Sequence, residues 1–426
     1  MSVRTALRMA PVLAAAVMVY GYVGLQALHG EFAWDPGATP LSEAFRSGIA
    51  VLAPHVDPRT AHAAHFLGSL QTAGWFARLY LLALLLRAVV QRQRLQAPAA
   101  EVERLFREHG CHSLAAFAVQ PDKHHLLLGR GRGLAAYAVQ RAVALTCGDP
   151  LGPAEALEEN VREFIEHCRR NGWTPCIYEA AEENLAVYRR VGMGTVKIAE
   201  EAVIDLGAFS LAGGRRAALR SLVHKVTRAG LSVRAYARGA APDPTIDDQL
   251  EEISEEWLAE KRLAEMGFTL GRFSLDSLAG VRVALCLSAE RVEAFCSWLE
   301  YRGGRAVVLD LMRKRRDAVS GTMDLLLPHS LLELKAEGLD EASLANAPLA
   351  NVGGPRGPLD RGVAVLFENL NAFYGYKNLF QFKKKFDPRW EGRYLVYPHG
   401  SELPRIAVAM TLVHRSGGLW RLMFKR

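Results

Sequence analysis

VVLDLMRKRRDAVSGTMDLLL occupies Val307–Leu327. An apolar run carries an Asp and an Arg three positions apart. A basic cluster and a small-residue turn follow, and a second apolar run holds one more Asp. In a strand, successive side chains alternate faces, so Leu309 and Leu311 share one side and Asp310 and Met312 the other. Arg313 then has the wrong parity to join Asp310, and a bend or bulge is needed to bring both into one cleft. If the segment ends as a helix, positions three apart share a face directly. Either way, a carboxylate can orient or deprotonate a hydroxyl, and a guanidinium fork can grip a phosphate. The alternative is an Asp–Arg ion pair closing a strand end. GTMD, with Ser320 and Thr322 before an apolar helical pattern, reads as a helix start with N–H groups that could face an oxyanion.

The segments around this stretch read as mixed α/β. SLAAFAV, HHLLLG, GLAAYAV and RAVALTC, within 113–147, are short β-like runs parted by turn residues. AEALEENVREFIEHCRRNG has helical periodicity and Gly172 as its stop. TPCIYEA reads as a strand, ENLAVYRRVG as a short helix and EEAVIDL as a strand. A second unit starts near Pro244 with the helix LEEISEEWLAEKRL. Strands follow at VRVALCLS, RVEAFCSWLEY and RAVVLDLM, then helices at TMDLLLPHSLLELKAEG and RGVAVLFENLNAFY. The similar order of elements suggests a tandem duplication without an exact sequence repeat. GRGRG at Gly129–Gly133 has neither phosphate-loop spacing nor a helix behind it, and reads as a hairpin turn.

The chain has 426 residues, a net charge of +7 and 50% hydrophobic residues. The basic balance suits an anionic partner such as nucleic acid or an acidic lipid surface. Six scattered cysteines without a CxxC pair argue against a zinc site or a disulfide framework, and for a reducing compartment. No metal and no cofactor is expected.

Met9–Leu28 contains no charged residue and is long enough to cross a hydrocarbon core of about 30 Å. A signal peptide is the alternative, but the run exceeds the usual apolar length and lacks a clean cleavage site. A second apolar stretch, His65–Val90, is interrupted by Arg78; the alternative there is an amphipathic helix lying on the membrane. Arg4 and Arg8 precede the first span, and Arg87, Arg92 and Arg94 close the second. The loop between carries Glu31, Asp35, Glu43 and Asp57 against Arg46 and Arg59. Positive flanks place both ends in the cytoplasm.

Six segments in order resemble the catalytic region of the phosphatidylglycerol lysyltransferase family, also called multiple peptide resistance factors. They are GDPLG (Gly148–Gly152), KIAEEAVIDL (Lys197–Leu206), GFTLGRF (Gly267–Phe273), LDLMR (Leu309–Arg313), GTMDLLL (Gly321–Leu327) and LFQFKKKFDPRWEGRYLVYP (Leu379–Pro398). The resemblance implies tandem GNAT-like acyltransferase domains behind two transmembrane helices, at about 9–28 and 66–90. Residues 1–97 then form the anchor, 98–243 the first domain and 244–426 the second, catalytic one. It implies an enzyme of the bacterial cytoplasmic membrane, multi-pass, with its catalytic region in the cytoplasm. The reaction implied moves an aminoacyl group, lysyl first and alanyl second, from aminoacyl-tRNA to the glycerol hydroxyl of phosphatidylglycerol. The product lowers negative surface charge. Typical members carry a large flippase domain ahead of the catalytic region, whereas this chain has room for two spans, so export of the product calls for a separate flippase.

An aminoacyl-tRNA is already an activated ester, so the transfer needs positioning and charge stabilisation rather than a nucleotide or metal. Asp310 and Arg313 are the catalytic candidates. Lys383 and Lys385, in the family's FK-x-KF pattern, are set to meet phosphate, and Arg272 lies in the GFTLGRF segment. Glu200, Glu201 and Asp324 are candidates for holding the amine. Glu200 and Glu201 alternate in a strand, so only one faces a cleft. Thr322 belongs to the helix start. Arg216 and Arg220 lie with Lys225 on a basic helical segment, Arg215–Gly230, suited to tRNA or headgroups; a plain amphipathic surface helix fits it equally. The competing functions are an acetyl-CoA-dependent N-acyltransferase, which would want a pyrophosphate loop, and a non-catalytic membrane-tethered RNA-binding module.

Overall fold

The computed structural model describes residues 3–50, 53–94, 97–261, 267–348 and 376–415. The RGVAVLFENLNAFY segment lies outside them. Two compact units form, one over Met1–Gln96 and a larger one beginning at Ala97.

In the N-terminal unit, the helix Val3–Ala27 packs on the helix Ala61–Arg94. Glycine makes this approach close: a Cβ on Gly24 would sit 2.1 Å from the Phe66 ring, and one on Gly21 2.9 Å from Leu70. A short antiparallel pair, β1 (Phe32–Trp34) with β2 (Val56–Pro58), ties the connecting segment together. Among the described residues one window, Ala10–Ala27, is long and apolar enough to cross a membrane. Arg78, the charge inside the second apolar stretch, donates to the carbonyls of Ile49 and Ala50 at 2.5 and 2.8 Å. Those carbonyls end the wide helical turn Ala44–Ala50, and the guanidinium caps them. Trp75, Phe76, Leu79, Tyr80 and Leu82 remain exposed on the same helix.

The larger unit is built on one sheet of 11 strands: β3 (His124–Leu128), β4 (Gly133–Gln140), β5 (Val143–Cys147), β6 (Thr174–Ala181), β7 (Gly194–Asp205), β8 (Leu231–Tyr236), β9 (Arg282–Ser288), β10 (Arg291–Tyr301), β11 (Ala306–Lys314), β12 (Glu341–Pro348) and β13 (Arg389–Tyr397). Their spatial order is β3-β4-β5-β6-β13-β7-β12-β11-β10-β9-β8. Among the described residues the order strand, strand, helix, strand, helix, strand occurs twice. It runs β4, β5, Leu157–Asn171, β6, Leu185–Arg190, β7, and again β10, β11, Thr322–Ala336, β12, Tyr376–Lys384, β13. In each copy the middle strands are parallel, β5 with β6 and β11 with β12, as the intervening helix requires. The last strand of each copy crosses over. β13 pairs with β6 and β7 pairs with β12, so the halves exchange strands at the centre of the sheet. The fold class follows the sequence reading.

Two local expectations change. SLAAFAV is not a strand: Ala115–Ala118 is a buried helical turn, because all four of its residues face the core rather than every second one. Leu231–Tyr236, ahead of Pro244, is already an edge strand, paired with β9. The GRG turn does close the β3–β4 hairpin, with Arg130 at φ 57°. Gly133 there admits the Asn160 side chain, whose Nδ2 would lie 2.4 Å from a Cβ.

Candidate active site at the strand exchange

The four central strands bury charge. Glu201 of β7 lies opposite Asn346 of β12 and Glu391 of β13. Its carboxylate accepts from Arg393 Nε at 2.7 Å, from Arg393 Nη2 and from Ser343 Oγ. Burial alone would raise the Glu201 pKa; the adjacent guanidinium and hydroxyl bonds hold it below the ordinary carboxylate value. Burial opposes the charge on Arg393 too, and Glu201 more than offsets it. The pair is buried on the central strands, where Arg393 Nη2 also reaches Glu391 Oε2 at 3.3 Å, and removing Arg393 would leave the Glu201 carboxylate without its guanidinium.

On each side of it a strand bulges. β6 carries an extra residue against β13 at Tyr178–Glu179, and β12 carries one against β7 at Leu344–Ala345. Both bulges hold a non-glycine residue in the left-handed region, Glu179 at φ 63° and Ala345 at φ 61°. Such strain persists only where the surroundings impose it, and it re-aims side chains and carbonyls. At the first bulge Glu179 is buried; it meets the Asn346 and Tyr178 side chains, and burial pushes its carboxyl up to about 7. Its Oε2 and the Oδ1 of Asn346 have no hydrogen-bond partner among the described residues. At the second bulge the carbonyls of Ala345 and Asn346 accept from Lys383 Nζ at 3.1 and 2.8 Å. Burial brings Lys383 down to about 7, against the pull of Glu201 and Glu179. His112 is half-buried, desolvation of its ring lowers its pKa, and its buried Nε2 has no partner among the described residues.

The residues singled out from the sequence distribute as follows. Glu201 and Lys383 belong to this centre. Glu200 points away from it, to Lys197 Nζ at 2.6 Å. Lys385 pairs with Asp324 at 2.7 Å, joining Tyr376–Lys384 to Thr322–Ala336, and lies 5.2 Å over Phe382. Thr322 turns its hydroxyl back to the carbonyl of Val319 at 2.6 Å; the helix is capped by Gly321 at φ 96° with no side-chain cap. Arg216 donates to the Ser210 carbonyl, and Arg220 to those of Leu211 and Gly213. Lys225 is exposed on the helix Ala217–Arg228, where Arg220, His224 and Arg228 line a shallow depression.

Asp310 and Arg313 do reach one face. A register shift between Cys296 and Trp298 sets one residue of β10 against two of β11 and reverses the parity between them. Asp310 Oδ1 accepts the N–H of Gly271 at 2.7 Å, and a Cβ on Gly271 would lie 2.2 Å from that carboxylate. Arg313 donates to Ser254 at 2.6 Å, and its guanidinium lies 4.9 Å from the Trp257 ring and 5.5 Å from Phe273. Both therefore hold the segment Gly267–Phe273. That segment also carries Arg272, whose guanidinium lies against Gly267. Its other end reaches the strand exchange: Phe268, at φ 76°, packs on Tyr178 with ring centroids 6.2 Å apart, one residue before Glu179.

Glu179, Asn346, Arg393 and His112 were not found by sequence reasoning. A charge inside the strand TPCIYEA was the available signal for Glu179, of the same kind as Asp310 within LDLMR. The strand exchange that gives it neighbours had none.

Two strand-exchanging halves on one mixed sheet are a transferase-type α/β architecture shared with solved domains of lysylphosphatidylglycerol synthetases. The chain belongs to the family described as phosphatidylglycerol lysyltransferase, C-terminal, whose model matches residues 103–397. It is 32% identical over 325 residues to the phosphatidylglycerol lysyltransferase of Bacillus subtilis, covering 74% of this chain and 37% of that protein. To the Staphylococcus aureus protein of the same name it is 26% identical over 313 residues, covering 73% and 37%. The chain thus spans just over a third of the length of these relatives. Among solved structures, L-PGS from Bacillus licheniformis superposes with a TM-score of 0.66 at 28% identity, covering 74% of this chain and 96% of that one. The C-terminal DUF2156 domain from Agrobacterium fabrum gives 0.67 at 28%, covering 75% and 97%.

Proposed function

We propose that this chain is a membrane-anchored aminoacyltransferase that moves an aminoacyl group, lysyl first and alanyl second, from aminoacyl-tRNA to the glycerol hydroxyl of phosphatidylglycerol. The observation that carries the reading is the buried acid–base centre at the strand exchange, inside the segment that matches the family. The names of the relatives support the lipid acceptor. A tRNA donor suits the basic face of Ala217–Arg228 and a reaction driven by a ready-made ester. Division of the catalytic region at residue 243, with strands exchanged across that division, is part of the proposal. So is a second membrane span in Ala61–Arg94, whose exposed aromatic and aliphatic side chains suit lipid, with the larger unit in the cytoplasm. A separate flippase would carry the product outward.

Asp310 and Arg313 act in this reading as positioning residues. They fix Gly267–Phe273, whose Phe268 abuts the bulge that bears Glu179. Lys385 and Asp324 tie the chain at the end of Tyr376–Lys384 to the helix Thr322–Ala336.

The test is direct. Purified full-length protein in phosphatidylglycerol vesicles, given lysyl-tRNA or alanyl-tRNA without ATP or metal, should yield aminoacyl-lipid detected by mass analysis of the extract. RNase should abolish the product and high salt should weaken the reaction. Product formed with acetyl-CoA instead, or undiminished after RNase, would overturn the proposal.

A further inference from the structure

Glu179 and Lys383 flank one residue. The carboxylate of Glu179 meets the Asn346 side chain, and the amine of Lys383 meets the Asn346 and Ala345 carbonyls. Each is presented by one of the two bulges. Glu179 sits on the bulge of β6, and Lys383, from the helix Tyr376–Lys384, docks on the bulge of β12. The charged and titratable groups around them are Tyr178, whose side chain bonds Glu179 on the same strand, Glu201 from β7, Arg393 from β13 and Cys147 from β5. Glu201 and Arg393 neutralise each other through a shared fork. The second Glu179 oxygen is buried with nothing among the described residues to receive, and the adjacent Asn346 oxygen is in the same condition. A buried acceptor of this kind costs free energy unless a donor arrives.

We infer that Glu179 accepts the proton of the attacking hydroxyl and Lys383 supplies a proton to the departing ribose oxygen; this deepens the aminoacyl-transfer reading and rests on it. The acceptor O–H bond breaks as its proton passes to Glu179 Oε2, and the oxygen bonds to the carbonyl carbon of the aminoacyl ester. The tetrahedral intermediate then collapses. The bond between that carbon and the ribose oxygen breaks, and the ribose oxygen takes a proton from the Lys383 ammonium. One ester replaces another, Glu179 has gained a proton and Lys383 has lost one. A single transfer from Glu179 to Lys383 restores both. Burial has moved the two groups toward each other, to about 7 each, which makes either direction accessible near neutral pH.

The experiment is a pH–rate profile of kcat/KM for the wild type, Glu179→Gln, Glu179→Asp and Lys383→Arg. Each uses lysyl-tRNA and phosphatidylglycerol vesicles, with turnover expressed per folded molecule. The wild type should give a bell centred near pH 7, whose limbs belong to the pair rather than to either residue. Glu179→Gln should lower turnover by about 10²-fold or more and remove the acidic limb. Glu179→Asp should retain that limb at reduced turnover. Lys383→Arg keeps the positive charge but cannot release a proton near neutrality, so the alkaline limb should vanish. A well-folded Glu179→Gln protein with wild-type turnover and an unchanged acidic limb would overturn the assignment while leaving the transferase reading intact. Absence of aminoacyl-lipid from the wild type would instead overturn that reading.

Discussion

The bulges in β6 and β12 are the same backbone device used twice, yet they carry Glu179 and Ala345. Where the first half presents a carboxylate, the second presents only a methyl group and a pair of redirected carbonyls, and those carbonyls hold Lys383. A repeated fold thus yields an asymmetric site. The left-handed residue is kept at both places because the turned backbone is needed in both halves. The side chain differs because one half supplies an acid–base group and the other a dock for it.

The largest expected effect comes from breaking what lies between the two bulges. Arg393→Met leaves Glu201 buried without its guanidinium partner. Stability should fall by about 3–5 kcal/mol, the range for one partner lost from a buried pair, read as a lower urea midpoint. A loss below 1 kcal/mol would mean that water reaches the sheet centre and that the two bulges are not electrically linked.

Asp310→Asn sharpens the comparison from outside it, through the segment whose Phe268 packs on Tyr178 at the first bulge. Loss of a charge-assisted bond to Gly271 should cost about 1.5–3 kcal/mol. Turnover per folded molecule should stay within about tenfold of wild type. A 10²-fold fall in a protein with an unchanged melting temperature would return Asp310 to a proton-transfer role. Arg313→Lys should behave similarly, since an ammonium cannot stack between Trp257 and Phe273 as the planar guanidinium does.

The pH dependence of stability separates the halves. Glu179 has a folded pKa raised from 4.5 to about 7, so between those values the folded chain holds a proton that the unfolded chain has released. Stability contributed there falls as pH rises across that window. Lys383 is lowered from 10.5 to about 7, so between 7 and 10.5 the unfolded chain holds the extra proton, and stability rises with pH. Urea midpoints at pH 5, 7 and 9 should trace a shallow minimum near 7. Glu179→Gln should flatten the first arm and Lys383→Met the second. Persistence of both arms in both variants would place the titration elsewhere.

The smallest effect is expected at the second bulge itself. Ala345 holds φ 61°, where a Cβ is strained, and its methyl group is only partly buried against the core, so Ala345→Gly should relieve strain and raise stability by up to about 1 kcal/mol, visible as a small rise in melting temperature. Glu179→Gly cannot be read in the same way, because it deletes the carboxylate along with the strain.

Much was legible in the sequence. Alternation and helical periodicity located most strands and helices of the larger unit, because each element buries a face whose repeat is written locally. The same logic marked Asp310 as misplaced in an apolar run and required a bulge if Arg313 was to join it, and the register of β10 on β11 contains that bulge. SLAAFAV is the exception, because a fully buried turn carries no period.

Tertiary structure alone decided which charges meet. Glu201 and Arg393 are 192 positions apart and lie on strands that neighbour each other only because the halves exchange their last strands. Glu179 and Asn346 come together across the same exchange. Pairing of strands is fixed by backbone hydrogen bonds and by the packing of both sheet faces, and neither leaves a mark on the residues that are brought together. The sequence determined that the chain contains a mixed α/β fold behind an apolar N-terminal segment, and which side chains are costly to bury. Only the folded sheet determined which of those side chains neutralise one another and which are left with an oxygen to fill.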